Sequence, residues 1–207
     1  MKIYDISRTL SPTIAVWPGD QKFEHRWTMQ ISRGASVNVG AITLSVHTGS
    51  HADAPFHFDD AGANISQLRL EKFIGLATVI EIKDAAKIHV EHIRDLDFSR
   101  VQRILFKTPG SFLEDSHWLD DFVYIATETA EFLGKNKVQL VGMDTPSVDP
   151  MTSKTLSTHK VLARYGIVNL ENLNLSQVSP GEYQLIALPL KLSGLDASPV
   201  RAVLIET

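Results

Sequence analysis

The chain contains no cysteine. That one absence removes disulfide scaffolds, thiolate nucleophiles and cysteine-ligated zinc, so any metal must be held by nitrogen and oxygen donors. Blocks of Lys and Arg are also missing. The 20 basic residues stand singly or in pairs among 24 acidic ones, which excludes the dense cationic footprint of a nucleic-acid binder. No apolar run reaches transmembrane length, and Asp5 and Arg8 interrupt the opening MKIYDISRTL where a secretory leader needs apolar residues. The expectation is a cytoplasmic protein that binds neither nucleic acid nor membrane. The glycines do not take the spacing of a nucleotide-binding loop, and a GxSxG nucleophile elbow is lacking, so a serine-triad hydrolase fits poorly.

What is present suits a folded enzyme. The 207 residues suffice for one substantial core, and a single domain over residues 1–207 is expected. Short segments rich in Val, Ile and Leu predict strands at 2–6, 38–47, 76–83, 102–107, 138–143, 167–170, 184–190 and 200–205. Helices are predicted at 89–95, at 127–135 and at 153–165, the last with Ser153 or Thr155 as cap and Gly166 as stop. The pattern reads as one strand-rich α/β domain. The strand spacing is too uneven for eight βα units, which argues against a TIM barrel.

The informative segment is HTGSHADAPFHF, residues 47–58. In an extended chain alternate side chains share a face, so His47, His51 and Asp53 would point together, with Gly49 between them leaving room for an ion. Pro55 should end regular pairing and let His57 approach from another direction. Two imidazoles and a carboxylate suit a divalent ion with an open position for water, and the second oxygen of Asp53 allows a bridge to another ion. The alternative for each residue alone is a satisfied polar side chain, but three histidines and an aspartate within 47–57 make coincidence a weak account. The pattern is not H-E-x-x-H, so a zincin is excluded. His159 and Glu171 are distant residues able to complete such a site. Asp144 and Asp149 in MDTPSVDP could bind metal or simply cap loops. Trp17, in the Pro/Gly loop VWPGD, either plugs a local core or lines a pocket for an aromatic ligand.

These segments, with DTPSVD at 144–149, HKVLARYGIVNLENL at 159–173 and GLDASPVRAVL at 194–204, resemble the cyclase-type metal-dependent hydrolases, and more narrowly their arylformamidase branch. The resemblance covers nearly the whole chain. It implies a swivelling β/β/α-type fold with a mixed, barrel-like sheet and flanking helices. It implies two divalent ions, zinc first and manganese as the alternative. His47, His51 and Asp53 would hold one, and Asp53, His159 and Glu171 the other. His57 would be the acid/base residue and Trp17 a contact to the substrate's aromatic part. The implied reaction is hydrolysis of N-formyl-L-kynurenine to L-kynurenine and formate in tryptophan degradation, by a homodimer. Another family amidohydrolase acting on a cyclic amide, an imide or a different aryl amide is the main alternative. A non-catalytic metal-dependent binder and a purely structural metal protein are the others.

Overall fold

A computed structural model describes residues 1–206. Its strands are β1 (Ile3–Asp5), β2 (Glu24–Met29), β3 (Val39–Thr43), β4 (His51–Asp53), β5 (Ile74–Glu81), β6 (Lys87–Ile88), β7 (Arg103–Lys107), β8 (Tyr124–Ile125), β9 (Leu140–Met143), β10 (Val168–Glu171), β11 (Gly181–Ile186), β12 (Ala197–Pro199) and β13 (Val203–Glu206). Helices α1 (Thr127–Lys135) and α2 (Ser157–Arg164) and several single 3-10 turns complete it.

Nine strands form one mixed sheet, ordered β1-β13-β11-β5-β7-β9-β10-β4-β12, curled into a half-barrel and flanked by the two helices, as the cyclase-type fold requires. The centre, β5-β7-β9-β10, is parallel, and the margins are antiparallel. The parallel strand β7 reads RILFK and is buried throughout, because sheet covered on both faces demands a continuous apolar run. Its alternation divides the core. Leu105 joins Phe73, Leu140 and Leu185 in one cluster, while Ile104 and Phe106 join Ala130, Leu133 and Leu162 in the other, beneath the helices. Arg103 and Lys107, the ends of β7, are buried but spend their donors on main-chain carbonyls. No helix among the described residues is long and apolar enough to cross a membrane.

The elements follow the expected order with instructive differences. Helix α1 occupies the expected 127–135. The segment expected to be helical at 89–95 is a single 3-10 turn, Val90–His92. Helix α2 begins at Ser157 rather than near 153, and neither Ser153 nor Thr155 caps its free amides. Those of Thr158 and His159 are taken by the carboxylate of Asp149 at 3.0 Å each, and Gly166 at φ 69° stops the chain beyond its end. The strand expected over 38–47 is divided. Val39–Thr43 pairs with β2 as a separate two-stranded ribbon, and a turn over 45–50 precedes β4, so His47 does not lie on a strand with His51 and Asp53.

Candidate metal centre

The centre is assembled by register. Strand β4 is the penultimate strand of the sheet, and His51 and Asp53, two apart, share one of its faces. Antiparallel pairing sets Glu171 of β10 directly opposite His51, so their side chains emerge on the same face. Asn169, two residues before Glu171, follows it there. Its amide donates to Asp53 Oδ2 at 2.8 Å and to Glu171 Oε1 at 3.1 Å, holding the two carboxylates together. His159 enters from the first turn of α2, with Nε2 3.3 Å from both Asp53 Oδ2 and Glu171 Oε1. His47 comes from the turn before β4 and brings Nδ1 to 3.1 Å from Asp53 Oδ1. The five residues named from the sequence therefore meet, although the chain is not extended through them.

Gly49 has a different role from the one expected. It sits at φ 66° inside the turn, and a Cβ there would lie 2.7 Å from Leu10 and 3.2 Å from Ile14. It lets the turn fold tightly against the N-terminal loop rather than clearing space for an ion.

Several ring nitrogens are already oriented. His51 Nδ1–H donates to the Gly49 carbonyl at 2.8 Å, and His159 Nδ1–H to Asp149 Oδ2 at 2.8 Å, which leaves both Nε2 atoms for the centre. Asp149 thus supports a candidate ligand instead of being one. Asp144 is structural as well. It accepts from the amides and hydroxyls of Thr108 and Ser111 over 2.6–3.0 Å, and burial raises its carboxyl above the ordinary range.

The buried donor set is unfinished in a way that fits a cation. His51 Nε2 and Asp53 Oδ1 are fully buried, 3.4 Å apart, and have no hydrogen-bond partner. Such orphaned atoms are costly unless something binds them. Two overlapping sets of donors, His47/His51/Asp53 and Asp53/His159/Glu171, each lie within 4.8 Å of one another and share Asp53. Their all-nitrogen and oxygen chemistry suits a divalent ion.

The electrostatics agree. Burial opposes charge on the imidazoles, yet the adjoining carboxylates outweigh it. Asp196 and Asp53 hold His47 up to about 9, and Asp53 and Glu171 hold His51 up to about 10. His159 is raised well above the usual value by Asp149, Asp53 and Glu171. In return, burial and mutual repulsion push Glu171 up and burial pushes Asp53 up, but the imidazoles keep both below the ordinary carboxylate range. Without metal, protons occupy the place of cations. Raised histidines contribute stability fully present below their unfolded value of 6.5 and lost as pH climbs through about 9 and 10. The melting temperature of chelated protein should therefore fall from neutral pH through that window, whereas metal-loaded protein, whose ligating nitrogens carry no proton, should not follow it. Level melting temperatures for chelated protein across this range would contradict the protonation scheme.

His57 ends the 3-10 turn Pro55–His57, as the proline predicted, and its exposed side chain lines a cavity of about 500 Å³ together with His47 and the buried His51, His159 and Glu171. Its Nδ1 is 3.1 Å from Asp196 Oδ2, and the same oxygen is 2.9 Å from His47 Nε2. Those contacts hold Asp196 well below the ordinary range, that of His47 foremost. Trp17 lines the same cavity and packs edge-on against Trp118, ring centroids 5.3 Å apart. Sequence reasoning missed Asp196, Asn169 and Trp118. Asp196 lies in the GLDASPV segment, but nothing in its spacing ties it to a histidine almost 150 positions earlier.

Comparison with known proteins converges on the same chemistry. The Cyclase family profile matches residues 4–150. A kynurenine formamidase of Salinibacter ruber is 47% identical over 99% of this chain and 97% of its own length. One of Geobacillus thermodenitrificans is 46% identical over 97% and 95%. A solved structure described as a "predicted metal-dependent hydrolase" of Bacillus stearothermophilus superposes with a TM-score of 0.83 at 28% identity, covering 98% of this chain and 97% of that one. With that likeness running over nearly the whole length, the chain belongs to the Cyclase family of metal-dependent hydrolases and, within it, to the bacterial kynurenine formamidases.

Proposed function

We propose that this enzyme hydrolyses N-formyl-L-kynurenine to L-kynurenine and formate, using two divalent ions, zinc in first place and manganese as the alternative. The observation that carries this reading is the pair of donor sets joined through Asp53, opening into a cavity walled by Trp17 and fronted by His57. His47, His51 and Asp53 would hold one ion, and Asp53, His159 and Glu171 the other. When bound, such ions supply Lewis acidity toward a carbonyl oxygen and make water a nucleophile near neutral pH.

The protein's own groups do the rest. Asn169 keeps the two carboxylates in place. The aryl ring packs on Trp17 and Trp118, which directs the small formyl group toward the donor sets. His57 takes a proton from the attacking water and, as the C–N bond breaks, delivers it from the cavity side to the leaving aryl amine. Purified protein stripped of metal and resupplied with zinc or manganese should release kynurenine and formate, measured by chromatography. Folded, metal-loaded protein that forms neither product would overturn the substrate assignment in favour of a cyclic amide or imide.

Trp17→Ala should raise KM about 3- to 10-fold, the size of a lost aromatic contact, with a smaller change in kcat. A large loss of kcat at unchanged KM would reject Trp17 as a binding wall.

A homodimer belongs to the same proposal. The ribbon of β2 and β3 leaves Trp27, Met29, Val39 and Ile42 between 41% and 60% exposed, and an isolated two-stranded ribbon is marginally stable in water. A second copy covering its Trp27 and Ile42 face would supply the missing third layer. Trp27→Glu should shift the protein from dimer to monomer in light scattering. An unchanged mass would remove the ribbon from the interface.

A further inference from the structure

We propose that Asp196 is a positioning residue for the hydrolysis: through a single carboxylate oxygen it fixes the tautomers of His57 and His47 together. This rests on the formamidase reading, because it gives His57 the leaving-group proton.

The main chain first pins Asp196 beside the segment that carries both histidines. The amide of Ala54 donates to the Asp196 carbonyl at 2.8 Å, and the amide of Ile65 to the neighbouring Leu195 carbonyl at 2.9 Å. Immediately beyond, β12 pairs with β4, setting Ala197 opposite Asp53. The carboxylate is thus held at a fixed distance from the turn that ends in His57. Its Oδ2 accepts from His47 Nε2–H at 2.9 Å and from His57 Nδ1–H at 3.1 Å, and the two rings lie 4.3 Å apart between centroids.

The consequences are opposite at the two rings. In the metal-loaded protein the proton kept on Nε2 would leave His47 Nδ1 free for the first donor set, at the place where it now faces Asp53 Oδ1 at 3.1 Å. With its proton on Nδ1, His57 keeps Nε2 free on the substrate side to take a proton from the attacking water and return it to the leaving amine, while the carboxylate behind it balances the imidazolium. The other geometric possibility is that His47, His57 and Asp196 themselves hold an ion, since their donor atoms also lie within 4.8 Å. Both separations are hydrogen-bond lengths, and Asp196 Oδ2 already engages one ring nitrogen of each histidine, so positioning is the stronger account.

The test is Asp196→Asn, which preserves shape and removes charge. It should lower kcat for the aryl formamide by about 10²- to 10³-fold, leave KM within about 3-fold, and keep the full complement of metal. Combined with His57→Ala it should add almost nothing to the single loss, because residues acting as a unit are not additive. The loss should shrink to under about 10-fold for an aryl formate ester, whose phenolate leaves without a proton. Asp196→Glu should restore part of kcat. Independently of activity, spectra of ¹⁵N-histidine-labelled full-length protein should show His57 protonated on Nδ1 in the native enzyme and lose that signature in Asp196→Asn.

Metal loss in Asp196→Asn, multiplicative losses in the double variant, or an equal loss on the ester would each overturn the proposal. A native enzyme inactive on every aryl formamide would instead overturn the function, and the nitrogen spectra alone would then decide the role of Asp196.

Discussion

Asp53→Asn should cost the enzyme its bound metal and at least about 10⁴-fold in turnover, while the fold survives. Both carboxylate oxygens of Asp53 face ring nitrogens of the donor sets. Oδ1 faces His47 Nδ1 at 3.1 Å and His51 Nε2 at 3.4 Å, and Oδ2 faces His159 Nε2 at 3.3 Å and the Asn169 amide at 2.8 Å. An asparagine of the same shape retains one oxygen. Its NH₂ must then either face the imidazole pair, where it takes the place of a ligand oxygen, or meet the NH₂ of Asn169, donor against donor. The shared ligand of both sets is lost in either orientation, so the loss should exceed that for any residue belonging to one set. Metal per chain after gel filtration and turnover on the formamide are the measurements. An Asp53→Asn protein carrying full metal, or turning over within about 10-fold of the native rate, would show that the two donor sets are not joined through this carboxylate.

How much of this was legible beforehand depended on whether a residue's role is local or made by pairing. HTGSHADAPFHF announced the centre because its donors are close in sequence and Pro55 marks where the backbone turns. The central strands were legible because parallel strands covered on both faces write themselves as runs of Val, Ile and Leu, as in RILFK. Strand β4 was read as extended, with His51 and Asp53 on one face, but its bounds and partners were not legible, since three residues with two polar side chains carry no strand signature of their own. It is a strand only because β10 and β12 flank it. The same pairing supplies Glu171 opposite His51, a relation with no local trace. Its residue type and its place after IVNL put Glu171 forward as a candidate, the resemblance implied its role as a ligand, and register explains how it reaches the centre.

The misreadings share that cause. An extended reading of 47–53 put Gly49 on the ligand face, but its φ of 66° makes the segment a turn, and Leu10 and Ile14 occupy the space a Cβ would need. The start of α2 was placed early because local Ser and Thr caps are the usual signal, whereas here the capping carboxylate comes from Asp149 outside the helix. That same carboxylate orients His159, so one aspartate couples the helix terminus to the metal centre. Asp196 is the extreme case, joined to His47 and His57 only after β12 closes against β4.

His57→Ala should separate chemistry from metal binding: kcat lower by about 10²- to 10⁴-fold, with the full metal content retained. His57 directs Nδ1 to Asp196 Oδ2, and its ring centroid is 6.0 Å from that of His159. Removing it leaves His47 on Asp196 and the donor sets undisturbed. Because the side chain stands at the cavity mouth, its loss opens a hole reachable from solvent, and imidazole added to the buffer should recover part of kcat. That rescue is specific to a missing proton carrier. A structural defect would not respond to imidazole, and a lost ligand would appear as a fall in metal content before any assay of turnover. Metal loss without rescue would move His57 into the coordination sphere and leave the leaving-group proton to another source.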